Sequence, residues 1–225
     1  MRHVELHRLT LRIWHWVNTV LIFLLILTGV RLRIPEIRFL FAYRNDVLIH
    51  RWMGLAACVS FLFWLAYSLV SGNIARNYAF RPARDVKGMV RQGLYYAVGF
   101  FRGWPNPYPT TPREKFNPLQ KVAYTGVMFL LTPLTVVTGI LFSNIPYFRG
   151  IISYVGGTRV LDAIHVIGGY LFVIYLIVHV YMATLGPTPF THIKAMFTGY
   201  EEEPETKKGG PMSVSPMLKA DTRPD

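Results

Sequence analysis

LDAIHVIGGYLFVIYLIVHVYMATL, Leu161 to Leu185, is a run of 25 residues holding one acid, no base and two histidines. At that length and apolarity it reads as a helix crossing a bilayer. Fourteen positions separate His165 from His179, which on a helix puts them about 40° apart in azimuth and roughly 21 Å apart along the axis. They share a face at two depths. An imidazole in lipid is costly unless it is hydrogen-bonded or bound to a metal, so two on one face point to two stacked metal centres.

Three further apolar runs, at about 11–30, 47–70 and 121–142, join 161–185 to predict an all-α integral membrane protein, a bundle of four transmembrane helices. The first run is too long for a signal-peptide core, lacks an A-x-A cleavage pattern and reads as a retained helix. The net charge of +12 does not point to nucleic acid, because the bases flank the spans and form no continuous groove-sized patch. One cysteine, Cys58, rules out an intramolecular disulfide, a thiolate iron–sulfur cluster and a covalent c-type haem. Histidine is left as the redox ligand.

Before span one lies a short basic lead, MRHVELHRLT. Trp14 and Trp16 flank His15 where an aromatic belt would sit at the headgroups. The long second linker has Pro82 and Asp85 as helix-start residues. Val86, Met89, Val90, Leu94, Ala97, Val98 and Phe101 recur in it at helical spacing, which predicts an amphipathic helix in the membrane interface between helices two and three. From residue 201 to 225 the chain is too poor in large apolar groups to offset the entropy of ordering, so a disordered tail is expected after a single membrane domain of residues 1–200.

The lead, the second linker and the tail hold seventeen bases against seven in loops one and three. The positive-inside rule then puts both termini in the cytoplasm and the protein in the cytoplasmic (inner) membrane. Spans two and four run inward and span one outward. His50 and His165 therefore lie near the outer face, and His15 and His179 near the inner face. Each pair supplies two axial nitrogens for a six-coordinate haem b, a site suited to electron transfer because no position is open to substrate. A flat porphyrin needs small neighbours, and Gly54, Gly168 and Gly169 lie three or four residues beyond the ligands on the same face; Gly29 and Gly139 offer the same room on spans one and three. Arg51, Arg33 and Arg12 are candidate partners for the haem propionates by depth. A structural zinc site would need four clustered ligands, so two separated pairs favour haem.

RIWHW at the start of span one, Thr28-Gly29, the histidine opening span two, NPLQK before span three, Thr138-Gly139, and H-x13-H followed by HVYMAT in span four form an ordered set. Over residues 7 to 200 the chain resembles the di-haem cytochrome b subunits of nickel–iron hydrogenases, formate dehydrogenases and thiosulfate or polysulfide reductases. The ending GPTPFTHIKAMFTGYEEE looks most like the thiosulfate-reductase-type branch. The resemblance implies two haem b groups, an inner one on His15 and His179 and an outer one on His50 and His165. It also implies a quinone, menaquinone or ubiquinone, beside the inner haem near Asn117, in a stretch where Pro118 and Leu119 replace the small residues of the formate dehydrogenase relatives. Asn117 equally suits a helix N-cap before Pro118.

What this implies is a membrane anchor passing electrons between a quinone pool and an extracytoplasmic redox subunit of a hydrogenase or molybdenum oxidoreductase, with no primary-substrate site of its own. Two alternatives share parts of the pattern. A haem-sensing or haem-handling membrane protein would share the histidines but leave a coordination position open. A small transporter should show buried carboxylates or broken helices, and spans one to three have no acid in their interiors.

Overall fold

The computed structural model describes residues 2–5, 7–37, 42–79, 81–108, 116–186 and 188–203. Four helices in it are long and apolar enough to cross a membrane: Leu9–Arg33, Tyr43–Val70, Pro118–Ser143 and Thr158–Ala183. We label them α1 (Leu9–Arg33), α2 (Tyr43–Val70), the pair α5 (Pro118–Gly126) and α6 (Thr132–Ser143) for the third span, and α8 (Thr158–Ala183). All four spans start a few residues before the apolar runs, and α8 ends at Ala183, short of Leu185. Ile13, Val17, Val20, Leu55, Val59, Leu62, Leu130, Val137, Ile167, Ile174 and Ile177 all stand exposed on these helices. So much bare apolar surface needs lipid around it.

The third span is continuous but changes pitch between its halves, with a π-helical turn at Val127–Leu131. Pro133 explains the turn: it has no N–H to give the preceding turn, and its ring would collide with the carbonyl four residues back. Widening the turn relieves both. The helix opens at Asn117, whose side-chain oxygen accepts from Gln120 N at 2.9 Å while Gln120 Oε1 accepts from Asn117 N at 3.2 Å, with Pro118 in the first helical position.

Between spans two and three lie α3 (Asn73–Asn77), α4 (Pro82–Leu94) and a π-helical turn at Tyr95–Gly99. The interfacial helix is amphipathic as its spacing predicts, and the structure shows which way it faces. Its buried stripe is Asp85, Gly88, Gln92 and Gly99, while Val86, Val90 and Leu94 stand exposed. The polar side meets the start of the third span and the apolar side is left for lipid. A Cβ on Gly88 would come within 2.6 Å of Pro118 Cγ, so glycine is what lets the two helices meet.

Loop three contains α7 (Arg149–Tyr154), whose Ile152 packs with Leu141 and Leu161 at the ends of the third and fourth spans. Beyond span four, α9 (Thr191–Thr198) returns to α1: Trp16 Nε1 donates to Met196 O at 3.2 Å and its ring stacks on Phe197 at 4.2 Å. Trp14 likewise donates to Ser60 O at 3.0 Å and stacks on Trp64. Both indoles thus tie helices together, each finding a carbonyl acceptor inside the protein.

Gly199, with φ 89°, turns the chain so that β2 (Tyr200–Glu203) pairs antiparallel with β1 (Arg2–Glu5), Arg2 opposite Glu203 and Glu5 opposite Tyr200. Residues 201–203, expected at the start of a disordered tail, are therefore in a strand, because backbone pairing with a distant segment supplies order that composition does not reveal. The remainder of that tail, 204–225, lies outside the described residues.

Candidate functional site

Each of the four histidines faces a second one across the bundle. His50 on α2 and His165 on α8 have ring centres 6.2 Å apart with planes at 79°. At the other end of the bundle, where the chain ends meet, His15 on α1 and His179 on α8 are also 6.2 Å apart, with planes at 45°. We call these the loop-side and termini-side pairs.

The loop-side pair is seated by a repeated dipeptide. Thr28 Oγ1 lies 2.9 Å from His50 Nδ1, and Thr138 Oγ1 lies 2.8 Å from His165 Nδ1. The next residue matters as well. A Cβ on Gly29 would stand 3.4 Å from His50 Cε1, and one on Gly139 would stand 3.3 Å from His165 Cε1. Both threonines are almost wholly buried, 2% and 4% exposed. Spans one and three thus each present a hydroxyl and a bare backbone to the imidazole of a neighbouring helix.

The termini-side pair is held by rings. Tyr175 stacks on His179 at 5.5 Å with planes at 23°, Tyr124 meets His179 edge-on at 6.1 Å, and Trp16 meets His15 edge-on at 5.2 Å. His15 Nδ1 is buried with no hydrogen-bond partner. The two pairs therefore differ in what holds them.

A metal between two imidazoles fits these distances. An imidazole nitrogen lies about 2 Å from a bound ion and about 1 Å from its own ring centre, so two rings on opposite sides of one ion stand roughly 6 Å apart. Among the described residues no three histidine, cysteine, aspartate or glutamate side chains converge. Among these residues each point offers two imidazoles, which suits an ion whose other ligands come from a macrocycle. α8 packs closely on α6 but only sparingly on α1, although its histidines face α1 and α2.

The predicted small neighbours divide. A Cβ on Gly54 would be in ordinary contact with Leu25 Cδ2 at 4.0 Å, and one on Gly169 would meet nothing within 4 Å, so Gly169 borders open space. Gly168 does not: its Cβ would lie 2.4 Å from Thr135 Cγ2, and its smallness serves the contact of α8 with the third span. Gly29 and Gly139 make room for imidazoles. Of the candidate arginines, Arg51 is exposed, Arg33 stands 3.6 Å from Asp162, and Arg12 Nε donates to Met196 O at 3.4 Å. The buried arginine is Arg31, 3.5 Å from a wholly buried Asp46.

Asn117, besides capping the third span, donates from Nδ2 to the Tyr96 hydroxyl at 2.9 Å. Burial pushes the pKa of Tyr96 up, so its hydroxyl keeps its proton at any physiological pH. Gln92 is wholly buried and approaches that hydroxyl, yet neither of its polar atoms completes a hydrogen bond. Beside them Asp85 Oδ2 accepts from Arg81 N at 2.7 Å and lies 3.4 Å from Lys121 Nζ. Sequence reasoning singled out Asn117 here and missed Gln92, Tyr96 and the Asp85–Lys121 pair. A polar stripe on the interfacial helix was the available signal, and it was outweighed by the apolar one.

Residues 6–199 match the family described as prokaryotic cytochrome b561. Among curated proteins, the chain is 31% identical over 202 residues to a putative cytochrome, YdhU, of Escherichia coli (strain K12), covering 88% of this chain and 74% of that protein.

Proposed function

This chain belongs to the prokaryotic cytochrome b561 family and is a membrane-embedded electron-transfer protein of the cytochrome b type, and from that premise we propose that it is a di-haem anchor carrying electrons between a quinone pool and a redox subunit docked outside the cytoplasm. The observation that carries the proposal is the pair of matched imidazole separations, 6.2 Å at each of two depths. His15 and His179 would hold one haem b, and His50 and His165 the other. Bound there, each haem would supply a one-electron redox centre. Residues 1–200 form the membrane domain, with the termini-side pair toward the cytoplasm. The exposed arginines of loop one, Arg33 and Arg44, face the partner, a subunit of a hydrogenase or molybdenum oxidoreductase; the resemblance of the ending after span four favours the thiosulfate-reductase type.

The quinone headgroup is assigned to the polar stripe between α4 and the third span. Asn117 spends its oxygen on the helix cap and an amide hydrogen on Tyr96. The Tyr96 hydroxyl, as acceptor of that bond, keeps its own proton to donate, and Gln92 adds a buried amide with free capacity. Lys121 with Asp85 stands at the edge of this stripe, a largely buried charged pair placed to pass protons to and from the headgroup.

Haem extraction into pyridine from the purified protein should give two b haems per chain, with a low-spin reduced-minus-oxidised spectrum. His179→Ala should retain one haem and His165→Ala the other, each with its own midpoint potential. A wild-type chain without haem, or a His179→Ala chain with two, overturns the reading. An open-site, high-spin spectrum would favour a haem-handling role.

A further inference from the structure

We infer that Thr28 and Thr138 are positioning residues that fix the tautomer of the loop-side histidines and thereby set the electron affinity of that centre apart from the termini-side one. The inference rests on the haem reading above. A threonine hydroxyl has one hydrogen. In Thr28 it goes to the helix backbone, since Oγ1 lies 2.7 Å from Leu24 O; in Thr138 likewise, with Leu134 O at 2.8 Å. Toward the imidazole each oxygen can then only accept. The hydrogen in Thr28 Oγ1···His50 Nδ1 and in Thr138 Oγ1···His165 Nδ1 must therefore sit on the ring nitrogen. The carbonyls of Leu25 and Thr135 beside these rings are acceptors too. With Nδ1 protonated, Nε2 is left bare as the ligand.

A ligating imidazole that donates its other N–H becomes a stronger electron donor. Richer ligands stabilise the oxidised ion, so the two threonines lower the midpoint potential of the loop-side centre. Among the described residues nothing comparable is found at the termini side, where His15 Nδ1 is buried with no partner and His179 is flanked by tyrosine rings. The asymmetry favours electron movement from the loop side toward the termini side.

Potentiometric titration of the haem spectra in the full-length protein tests this. The variants are Thr28→Val, Thr138→Val, their double, and the double Thr28→Ser/Thr138→Ser, with His165→Ala identifying which potential belongs to the loop side. The valine variants should raise the loop-side potential, most in the double, and leave the other unmoved; serine, which keeps the hydroxyl, should restore the wild-type value. Loss of one haem in the valine double with both retained in the serine double also supports the role. Two retained haems with no shift, equal shifts of both potentials, a serine shift as large as the valine one, or haem loss in valine and serine doubles alike would overturn it. The haem count of the wild-type protein is read separately, so failure of the di-haem reading is distinguishable from failure of the threonine assignment.

Discussion

Gly139 and Gly29 are useful for the atoms they lack. A methyl at Gly139 would stand 3.3 Å from the His165 ring, which must then give by a few tenths of an ångström against its threonine, while one at Gly29 would stand 3.4 Å from His50, at the edge of ordinary contact. Gly139→Ala should therefore lower occupancy of the loop-side haem or broaden its low-spin signal, while the other haem stays intact, as read by paramagnetic resonance of the oxidised protein. Gly168→Ala should instead act on packing, costing about 1–3 kcal/mol because its methyl meets Thr135, with the haem spectra unchanged. The two arginine–aspartate pairs offer a similar contrast. Arg33 and Asp162 are 58% and 50% exposed, whereas Arg31 and Asp46 are 8% and 0%. Breaking an exposed pair costs at most about 1 kcal/mol; Asp46→Ala strands a buried guanidinium and should cost about 3–5 kcal/mol. Thermal unfolding in detergent should show a large drop for Asp46→Ala and almost none for Asp162→Ala.

At the scale of the element, α4 shows what periodicity can and cannot decide. Its helical spacing gave its existence and its start at Pro82, but an apolar stripe is equally at home against lipid or protein. Only Asp85, Gln92 and Asn117, buried together, reveal that the polar side turns inward. Gln92→Leu should keep both haems and the fold while weakening quinone reduction, measured as electron transfer to a soluble quinone from chemically reduced protein; unchanged quinone kinetics would remove Gln92 from the site. Asn117→Ala should in addition cost about 1 kcal/mol from the lost cap. The π-helical turn before Pro133 was foreshadowed by that proline, though its form depends on which bonds the neighbouring turns give up. Two Thr-Gly steps were visible as a motif, but their work was not: which helix a hydroxyl faces is settled by packing between distant segments.

For the molecule as a whole, four spans and the depth-matching of four histidines were legible, because both follow from apolar length and helical geometry alone. The antiparallel pairing of Arg2–Glu5 with Tyr200–Glu203 was not, since neither segment alternates and the contact spans nearly the whole chain. That pairing requires both ends to lie on one side of the membrane. In a Cys58→Ser background, Tyr200→Cys should react with an impermeant thiol reagent only from the cytoplasmic side. Tyr154→Cys, at 92% exposure in loop three, should react only from the opposite side. The reverse pattern would invert the proposed orientation while leaving the bundle as it is.

Both histidine pairs draw one member from α8, which follows α1, α2 and the third span in the chain. During synthesis, then, neither pair exists while only three helices have left the ribosome. A truncated or stalled chain carries His15 and His50 as lone imidazoles that can hold no iron centre in six-coordinate form. On the proposed di-haem reading, maturation is thereby ordered without any further device: a haem held between two histidines would be retained only by a chain whose insertion has run through to its fourth crossing.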